Sequence, residues 1–383
     1  MTNGLVKVKV LIKEAFKIAK RDLVGKGYKR YSGNAVEICS QIIEDRWNGT
    51  FFEGGETLFK EQFWIRDFSL NVKGIIALGH IDKVRRNLAW ALDIYKDNAA
   101  IGTTILERRT VTDFWHYSAD SLPFLLFSIR ESGSSWLVEK HKDFLNREIK
   151  KYFRTLYDPQ TGLVREIPFS IPKDVIMRNR SCVANSFMIF TQKLLDKSFP
   201  ELNNPFAGRD LRNPFIDAFW NRYHRYFRND LERDGDVVSA DANIMPYWLG
   251  VIDDKKMLKS LIDSIKKEHL DEPFPLKYHS FSDQRWMRTH PAARFFSPNY
   301  QGDSIWTMMG PIYIDLEYEF YPDDARAHLR KYLELIEQYK AYVEVFEPDG
   351  KSPLKGRFGH VPETGMLWSA MIPPLVEKLN VYA

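Results

Sequence analysis

Phe63-Trp64-Ile65-Arg66-Asp67-Phe68 sets an indole, a guanidinium and a carboxylate within four residues, and opens an apolar segment running through Leu70, Val72, Ile75, Ile76, Ala77 and Leu78. Burying those polar groups in a core is costly unless each finds a partner. At the mouth of a pocket the same three groups suit a sugar: a ring packs on the indole while a fixed Arg and Asp hydrogen-bond its hydroxyls. An Arg-Asp ion pair capping a helix beside a core tryptophan is the competing reading of these six residues. Either way the segment predicts a helix over about residues 68–79 with polar groups gathered at its start.

On the N-terminal side, residues 5–23 and 34–47 read as amphipathic helices, the second with Ala35, Ile38, Ile42 and Ile43 at helical spacing and Asn48-Gly49 as its stop. An aromatic, glycine-bearing loop, Phe51-Phe52-Glu53-Gly54-Gly55-Glu56, leads into the cluster. On the C-terminal side, helical patterns cover 82–95, 122–129, 136–153, 181–196, 210–228, the stretch from Val237 to Trp248, 254–267, 304–319, 323–340 and 364–378, the last crossed by Pro373-Pro374. That makes about twelve helices with no convincing strand run. Aromatic, glycine-rich and polar clusters recur in the loops before alternate helices. No repeat of fixed period, low-complexity segment or Pro/Ser-rich linker divides the chain, so one all-α domain over residues 1–383 is expected. Loops as long as 98–112 and 270–299 are unusual in a compact domain and more often serve function.

Composition narrows the function classes. The 383 residues carry 55 basic and 51 acidic side chains, a net charge of +4, which gives no electrostatic footprint for nucleic acid. Cys39 and Cys182 are the two cysteines; they sit in no Cys/His spacing, which argues against zinc and a disulfide framework. Lys7, Lys9 and Lys13 interrupt the apolar residues of the N-terminus, so no signal peptide is read, and no window approaches ~18 apolar residues. A soluble, cytoplasmic protein is the expectation. No GxGxxG, Walker A or HExxH pattern occurs, so neither a nucleotide cofactor nor a metal is expected.

Four segments together resemble the (α/α)6-barrel, or six-hairpin, glycosidases, the group that includes glucoamylases, amylo-α-1,6-glucosidases, neutral invertases and glucosyl- or mannosylglycerate hydrolases. Trp64-Ile65-Arg66-Asp67 is similar to the group's tryptophan-x-arginine-aspartate motif. Ser118-Ala119-Asp120-Ser121 resembles the invertase-like serine-x-aspartate-serine segment. Asn299-Tyr300-Gln301-Gly302, with Trp306 and Gly310-Pro311, resembles the tyrosine-x-asparagine-glycine, tryptophan, glycine-proline pattern. Glu344-Val345-Phe346 and Met366-Leu367-Trp368-Ser369-Ala370 resemble the closing segment. The resemblance spans roughly residues 50–375. It departs at Gln301-Gly302-Asp303 and at Trp306-Thr307, where asparagine-glycine and tryptophan-proline are common.

The resemblance implies an all-α, six-hairpin barrel and an inverting, exo-acting glycoside hydrolase that releases a terminal sugar, glucose, from an α-glucoside or short α-glucan. Such hydrolysis needs two carboxylates flanking the scissile bond, one protonated in a desolvated, aromatic setting and one activating water. Asp120, between Trp115, Tyr117 and Phe124, fits the acid, with a helix N-cap as its other reading. Glu344, between Tyr342 and Phe346, fits the base, with Glu347 and Glu363 as rivals. Arg66 and Asp67 would bind the terminal sugar; Trp64, Trp115, Trp306 and Phe51 would wall the pocket; Tyr300 and Gln301 would contact substrate. His116, His279 and His290 are further hydrogen-bonding candidates, and Asp113, Glu166 and Asp174 are loop carboxylates that could line the same pocket. A sugar epimerase or glycan lyase on the same barrel, or a carbohydrate-binding protein lacking opposed carboxylates, are the competing functions.

Overall fold

Two kinds of helix alternate along the chain, and the difference sorts them into layers. One kind is amphipathic. In α1 (Ala35–Arg46) the buried positions are Ala35, Ile38, Cys39, Ile42, Ile43 and Arg46; in α3 (Ile81–Asp97) they centre on Val84, Leu88, Ala91, Leu92 and Tyr95; α6 (Lys142–Leu156), α10 (Lys255–Lys267) and α12 (Pro322–Tyr339) show the same single stripe. A single stripe covers a core on one side and meets solvent on the other. The second kind is buried on nearly every face: α2 (Ile65–Ala77), α4 (Ser121–Glu131), α7 (Cys182–Lys197), α9 (Ala240–Trp248) and α11 (Gly310–Glu317). These are the inner helices. The computed structural model describes residues 28–232, 235–281, 289, 299–356 and 361–381; the expected helix over 5–23 and His290 lie outside them.

Contacts between the inner helices follow chain order. Helix α2 packs on α4, α4 on α7, α7 on α9, α9 on α11, and α11 on α13 (Ile372–Leu379), which has a single buried stripe, completes the inner succession and packs in turn on α2. The buried 3₁₀ turn Leu367–Met371, leading into α13, lies along α2 as well. Outside this succession α1 leans on α12 and α13, α3 on α2 and α4, α8 (Arg212–Phe219) on α7, α10 on α9, and α12 on α11. A short helix, α5 (Ser135–Lys140), joins α4 to α6.

Helix starts are set by local chemistry. Asn34 and Glu37 close a reciprocal capping box on α1, Ser181 accepts the Ala184 N–H at 3.2 Å to open α7, and Asp254 accepts the Lys256 and Met257 N–H groups at 2.8 and 3.0 Å to open α10.

Several expected boundaries move for identifiable reasons. The pattern over 136–153 breaks at His141 into α5 and α6. The pattern over 210–228 stops at Phe219, because the Asn221 side chain accepts the Tyr223 and His224 N–H groups at 3.1 and 2.9 Å and turns the chain into a hairpin of β4 (Trp220–Asn221) and β5 (Tyr226–Phe227). The pattern over 304–319 begins as β6 (Ile305–Trp306), paired antiparallel to β7 (Val345–Phe346), and becomes helical only at Gly310-Pro311. Pro373 and Pro374 do not interrupt the last helix; they occupy its first turn, where a missing N–H removes no hydrogen bond. Strands, unexpected from the sequence, are two or three residues long. The remaining three, β1 (Phe63–Trp64), β2 (Thr104–Leu106) and β3 (Thr110–Thr112), form one antiparallel sheet in that order.

The polar segments that precede the inner helices share one end of the fold. Arg66 and Asp67 stand in the first turn of α2, Asp120 at the start of α4, Asp174 in the connection 157–181 before α7, Asp241 in the first turn of α9, Gln301 in the segment before α11, and Glu344 and Trp368 before α13.

Candidate active site

A single guanidinium organises the centre of this end. Arg66 is 3% exposed. Its Nε and Nη2 donate to the two oxygens of Asp120 at 2.5 and 3.2 Å, its Nη1 to Asp174 at 2.9 Å, and its Nη2 also to the Ser170 hydroxyl at 3.2 Å. The planar fork of arginine suits this sharing between two carboxylates. Position 66 is brought to Asp120 because α2 packs along α4, both entering from the same end.

The two carboxylates on Arg66 differ in what they can reach. Asp120 has no exposed surface. Arg66 takes both of its oxygens, and the Ser118 hydroxyl donates to one of them at 2.5 Å. It does not cap α4 through its side chain; the Ser118 hydroxyl accepts the Ser121 N–H instead. Asp174 keeps 15% of its side chain exposed, and its other oxygen accepts from the Gln301 amide at 3.1 Å. Burial raises the Asp174 carboxyl above the ordinary aspartate range, against the lowering pull of Arg66.

Gln301 holds this region together. Its carbonyl accepts the Val175 N–H at 3.0 Å while its amide serves Asp174. The preceding residue, Tyr300, donates its hydroxyl to Glu344 at 2.5 Å. Glu344 is 3% exposed, and its second oxygen accepts the Glu363 N–H at 2.7 Å. It reaches Tyr300 because β6 and β7 pair and the Thr307 N–H donates to the Glu344 carbonyl at 3.2 Å. The two rival glutamates are otherwise engaged. Glu363 accepts from the Thr57 and Leu58 N–H groups and the Thr57 hydroxyl, fastening the glycine-bearing loop, and Glu347 accepts the Lys355 N–H at 2.8 Å.

Asp67 faces a different partner from its neighbour Arg66. Its carboxylate accepts the Trp368 indole N–H at 2.7 Å, and burial raises its pKa to about 6. Trp368 packs on Trp306 at 5.9 Å between ring centroids, and Trp306 on Tyr300 at 4.7 Å, so the three rings form one aromatic row ending at the tyrosine that bonds Glu344. Trp306 itself donates to the Tyr300 carbonyl. Trp368 lies in the closing segment singled out from sequence, but its pairing with Asp67 had no signal there.

The remaining candidates divide. Trp64 is half-buried, bonded to Gln62 at 2.9 Å and packed between Phe59 and Phe114. Phe114 in turn packs on Val175 and Ile176, next to Asp174, and carries Trp115 on its edge. Trp115 is 39% exposed and adopts φ +66°, with the His116 N–H bonded to the Phe114 carbonyl across it: a strained γ-turn. His116 is part-buried, its Nε2 without a hydrogen-bond partner among the described residues. Phe51 stacks on Trp90 of α3 and belongs to the packing of the outer layer rather than to this cluster. Asp113 accepts the Thr103 N–H, and Glu166 pairs with Arg180. His279 is fully buried, 3.5 Å from the Lys173 ammonium.

Among the described residues, one group away from this site has metal-ligand spacing. Asp271, Glu317 and His328 converge within 4.8 Å. The Lys266 ammonium already lies 3.4 Å from Asp271 and 3.0 Å from Glu317, so the chain supplies its own cation there. Among the described residues no helix is long and apolar enough to cross a membrane.

No protein-family model and no curated protein matches the sequence. Solved structures match in fold. A rhamnosidase from Klebsiella oxytoca with rhamnose bound superposes with a TM-score of 0.63 over 92% of this chain at 14% identity; the chain spans 65% of that protein's length. A glycosidase variant in complex with glucose gives a TM-score of 0.64 at 14% identity, covering 91% of this chain and 96% of its own. The GH63 mannosylglycerate hydrolase from Thermus thermophilus, in complex with Tris and D-glycerate, gives 0.58 at 12% identity, covering 90% and 100%. The mostly helical fold of this chain is therefore the fold of these glycosidases.

Proposed function

We propose that the protein is one (α/α)6-barrel domain and an inverting, exo-acting glycoside hydrolase that releases a terminal sugar, glucose in the first instance, from an α-glucoside. The observation that carries this reading is the Tyr300-Gln301 step. One of these neighbouring side chains holds Glu344 and the next holds Asp174, so two carboxylates far apart in sequence are each bonded by one member of a single dipeptide that packs on an aromatic wall. The glycosidase fold of the similar structures supports it.

The reading gives the acid role to Asp174 rather than to Asp120. A proton donor must meet the glycosidic oxygen, and Asp120 has no exposed surface, whereas Asp174 is part-exposed and held toward its protonated form by burial. In the proposed reaction Asp174 gives its proton to the glycosidic oxygen as the bond from that oxygen to the anomeric carbon breaks. Glu344 takes a proton from a water whose oxygen bonds the anomeric carbon from the opposite face. The products are the sugar with inverted anomeric configuration and the free alcohol. Proton exchange with solvent restores both carboxyls. Asp67, Trp64, Trp115 and His116 then serve the sugar and its leaving group, and Arg66 positions Asp174.

The test is sugar release from maltooligosaccharides, isomaltooligosaccharides, sucrose, glucosylglycerate, mannosylglycerate and α-rhamnosides by the wild type, Asp174→Asn, Glu344→Gln and Glu363→Gln. Loss of roughly 10²–10⁴-fold is expected in the first two variants, with Glu363→Gln within about tenfold of wild type. The first-formed anomer, read by NMR, reports inversion. Activity surviving in Asp174→Asn or Glu344→Gln overturns the residue assignment. Silence across the whole panel overturns the hydrolase.

A further inference from the structure

The residue before the proposed acid is a lysine with its charge in the protein interior. The Lys173 side chain is 2% exposed. Its ammonium donates to Asn229 Oδ1 at 2.8 Å, Ser239 Oγ at 2.7 Å and Asp241 Oδ1 at 2.9 Å, which matches its three N–H groups to three acceptors. The Tyr278 ring lies 5.5 Å from the ammonium. The three acceptors come from two segments, the stretch after β5 and the start of α9. Lys173 belongs to neither; it sits in the long connection between α6 and α7.

A second tie closes the other side of this stretch. Arg178 pairs with Asp230 and Glu232, each at 3.4 Å, and the Asn179 N–H donates to Glu232 at 2.9 Å. The backbone between the two ties is residues 174–177. Asp174 is therefore bracketed: its chain is anchored on both sides to the segment 229–232 and to the start of α9, while its side chain is steered by Arg66 and Gln301. Stability alone does not call for this arrangement. Replacing a buried ion pair by apolar side chains of similar volume is often neutral or stabilising. What three directed hydrogen bonds add is a fixed position, and proton transfer to a leaving group depends on placement to within about 0.5 Å.

We propose that Lys173 is a positioning residue for the proton donor, fixing the backbone of Asp174 through the Asn229, Ser239 and Asp241 contacts. The proposal rests on the assignment of Asp174 as the acid. It predicts a defect confined to the step that needs the acid.

The experiment compares two substrates of the same sugar: a natural glycoside, whose alcohol leaves only with a proton, and the glycosyl fluoride, whose fluoride departs with far less assistance. The variants are Lys173→Met/Asp241→Asn, which removes both buried charges together, and Ser239→Ala, which deletes one acceptor and leaves the ion pair. Asp174→Asn is the reference. In the double variant kcat on the glycoside is expected to fall roughly 10–100-fold with KM within about threefold, and on the fluoride to fall less than about threefold. Ser239→Ala is expected to show the same contrast at smaller size, and it decides the matter if the double variant fails to fold. Parallel losses on both substrates, or none on either, overturn the positioning role. If Asp174→Asn shows the contrast and the Lys173 and Ser239 variants do not, the acid assignment stands and this proposal alone falls. If Asp174→Asn itself shows no contrast, both fall.

Discussion

Replacing Asp120 by asparagine separates the two carboxylates that share Arg66. The amide keeps the shape of the side chain but can accept from only one of the two guanidinium nitrogens that now lie 2.5 and 3.2 Å from it, and it turns an N–H₂ toward the other. Removing one partner of a buried pair costs about 3–5 kcal/mol when the remaining charge is stranded. Arg66 is not stranded, because Asp174 stays at 2.9 Å, so roughly 2–3 kcal/mol is expected. At about 2.1 cal/mol/K per residue over 383 residues, the unfolding entropy is about 0.8 kcal/mol/K, and the melting temperature should fall by roughly 3 °C. A second effect follows from charge. The Asp120 anion helps hold the Asp174 carboxyl up, and Arg66 pulls it down. Without that anion Asp174 loses its proton at lower pH, so the alkaline limb of kcat/KM should move toward acid, with activity at the optimum within about tenfold of wild type. Thermal unfolding by circular dichroism and a pH–rate profile read both. If a folded Asp120→Asn protein loses as much activity as Asp174→Asn is expected to lose, or if Asp174→Asn stays active while Asp120→Asn does not, Asp120 is the donor and the reasoning from burial fails.

Asp67 and Gly74 offer tests of the surrounding frame. Burial lifts the Asp67 pKa to about 6; between about pH 4 and 6 the folded protein therefore holds a proton that the unfolded chain releases, so this group's contribution favours folding at low pH and is lost as pH rises, by roughly 3 kcal/mol across the window. Asp67→Asn, which can still accept from Trp368, should remove that slope, so its melting temperature relative to wild type should rise from pH 4 to pH 7; a constant difference would refute the shift. At Gly74 an added Cβ would meet the Ala370 carbonyl oxygen at 2.0 Å and its carbon at 2.6 Å, so Gly74→Ala must push α2 off the turn that carries Trp368. A loss of about 2–4 kcal/mol is expected from this overpacking, and an unchanged melting temperature would show that the two elements are not pressed together as described.

Much of the layered fold is legible in one dimension, because the two helix types differ in how many faces are apolar. A single stripe such as Leu258, Leu261, Ile262 and Ile265 marks an outer helix, and a run such as Leu122 to Ile129 marks an inner one. Polar clusters ahead of the inner helices are legible for the same reason: charge beside a helix that is buried all round needs a use. Strands of two residues are not legible, since alternation over two positions carries no signal and only the pairing itself, such as that of Ile305 with Phe346, creates them. The splitting of 210–228 turns on Asn221, whose side chain competes with the helix through a local turn that propensity alone does not weigh.

The candidate site divides along the same line. From sequence alone come the residue types and the places where chemistry gathers: Arg66 and Asp67, Asp120, Tyr300 and Gln301, Glu344. The roles within the cluster are tertiary. Asp120 looks like a desolvated acid because its sequence neighbours are aromatic, yet the same packing closes it off completely. Asp174 stands in a loop with no periodicity, indistinguishable in sequence from Asp113 or Glu166, and only the approach of Arg66 and Gln301 from remote segments sets it apart. Nothing in the sequence sets Lys173 apart; the fold buries it because Asn229, Ser239 and Asp241 converge on it. Periodicity is written locally, residue by residue, and so it survives in the sequence. Which charge is enclosed, which is exposed and which shares a partner depends on contacts between segments far apart in the chain, and those exist only once the helices have packed.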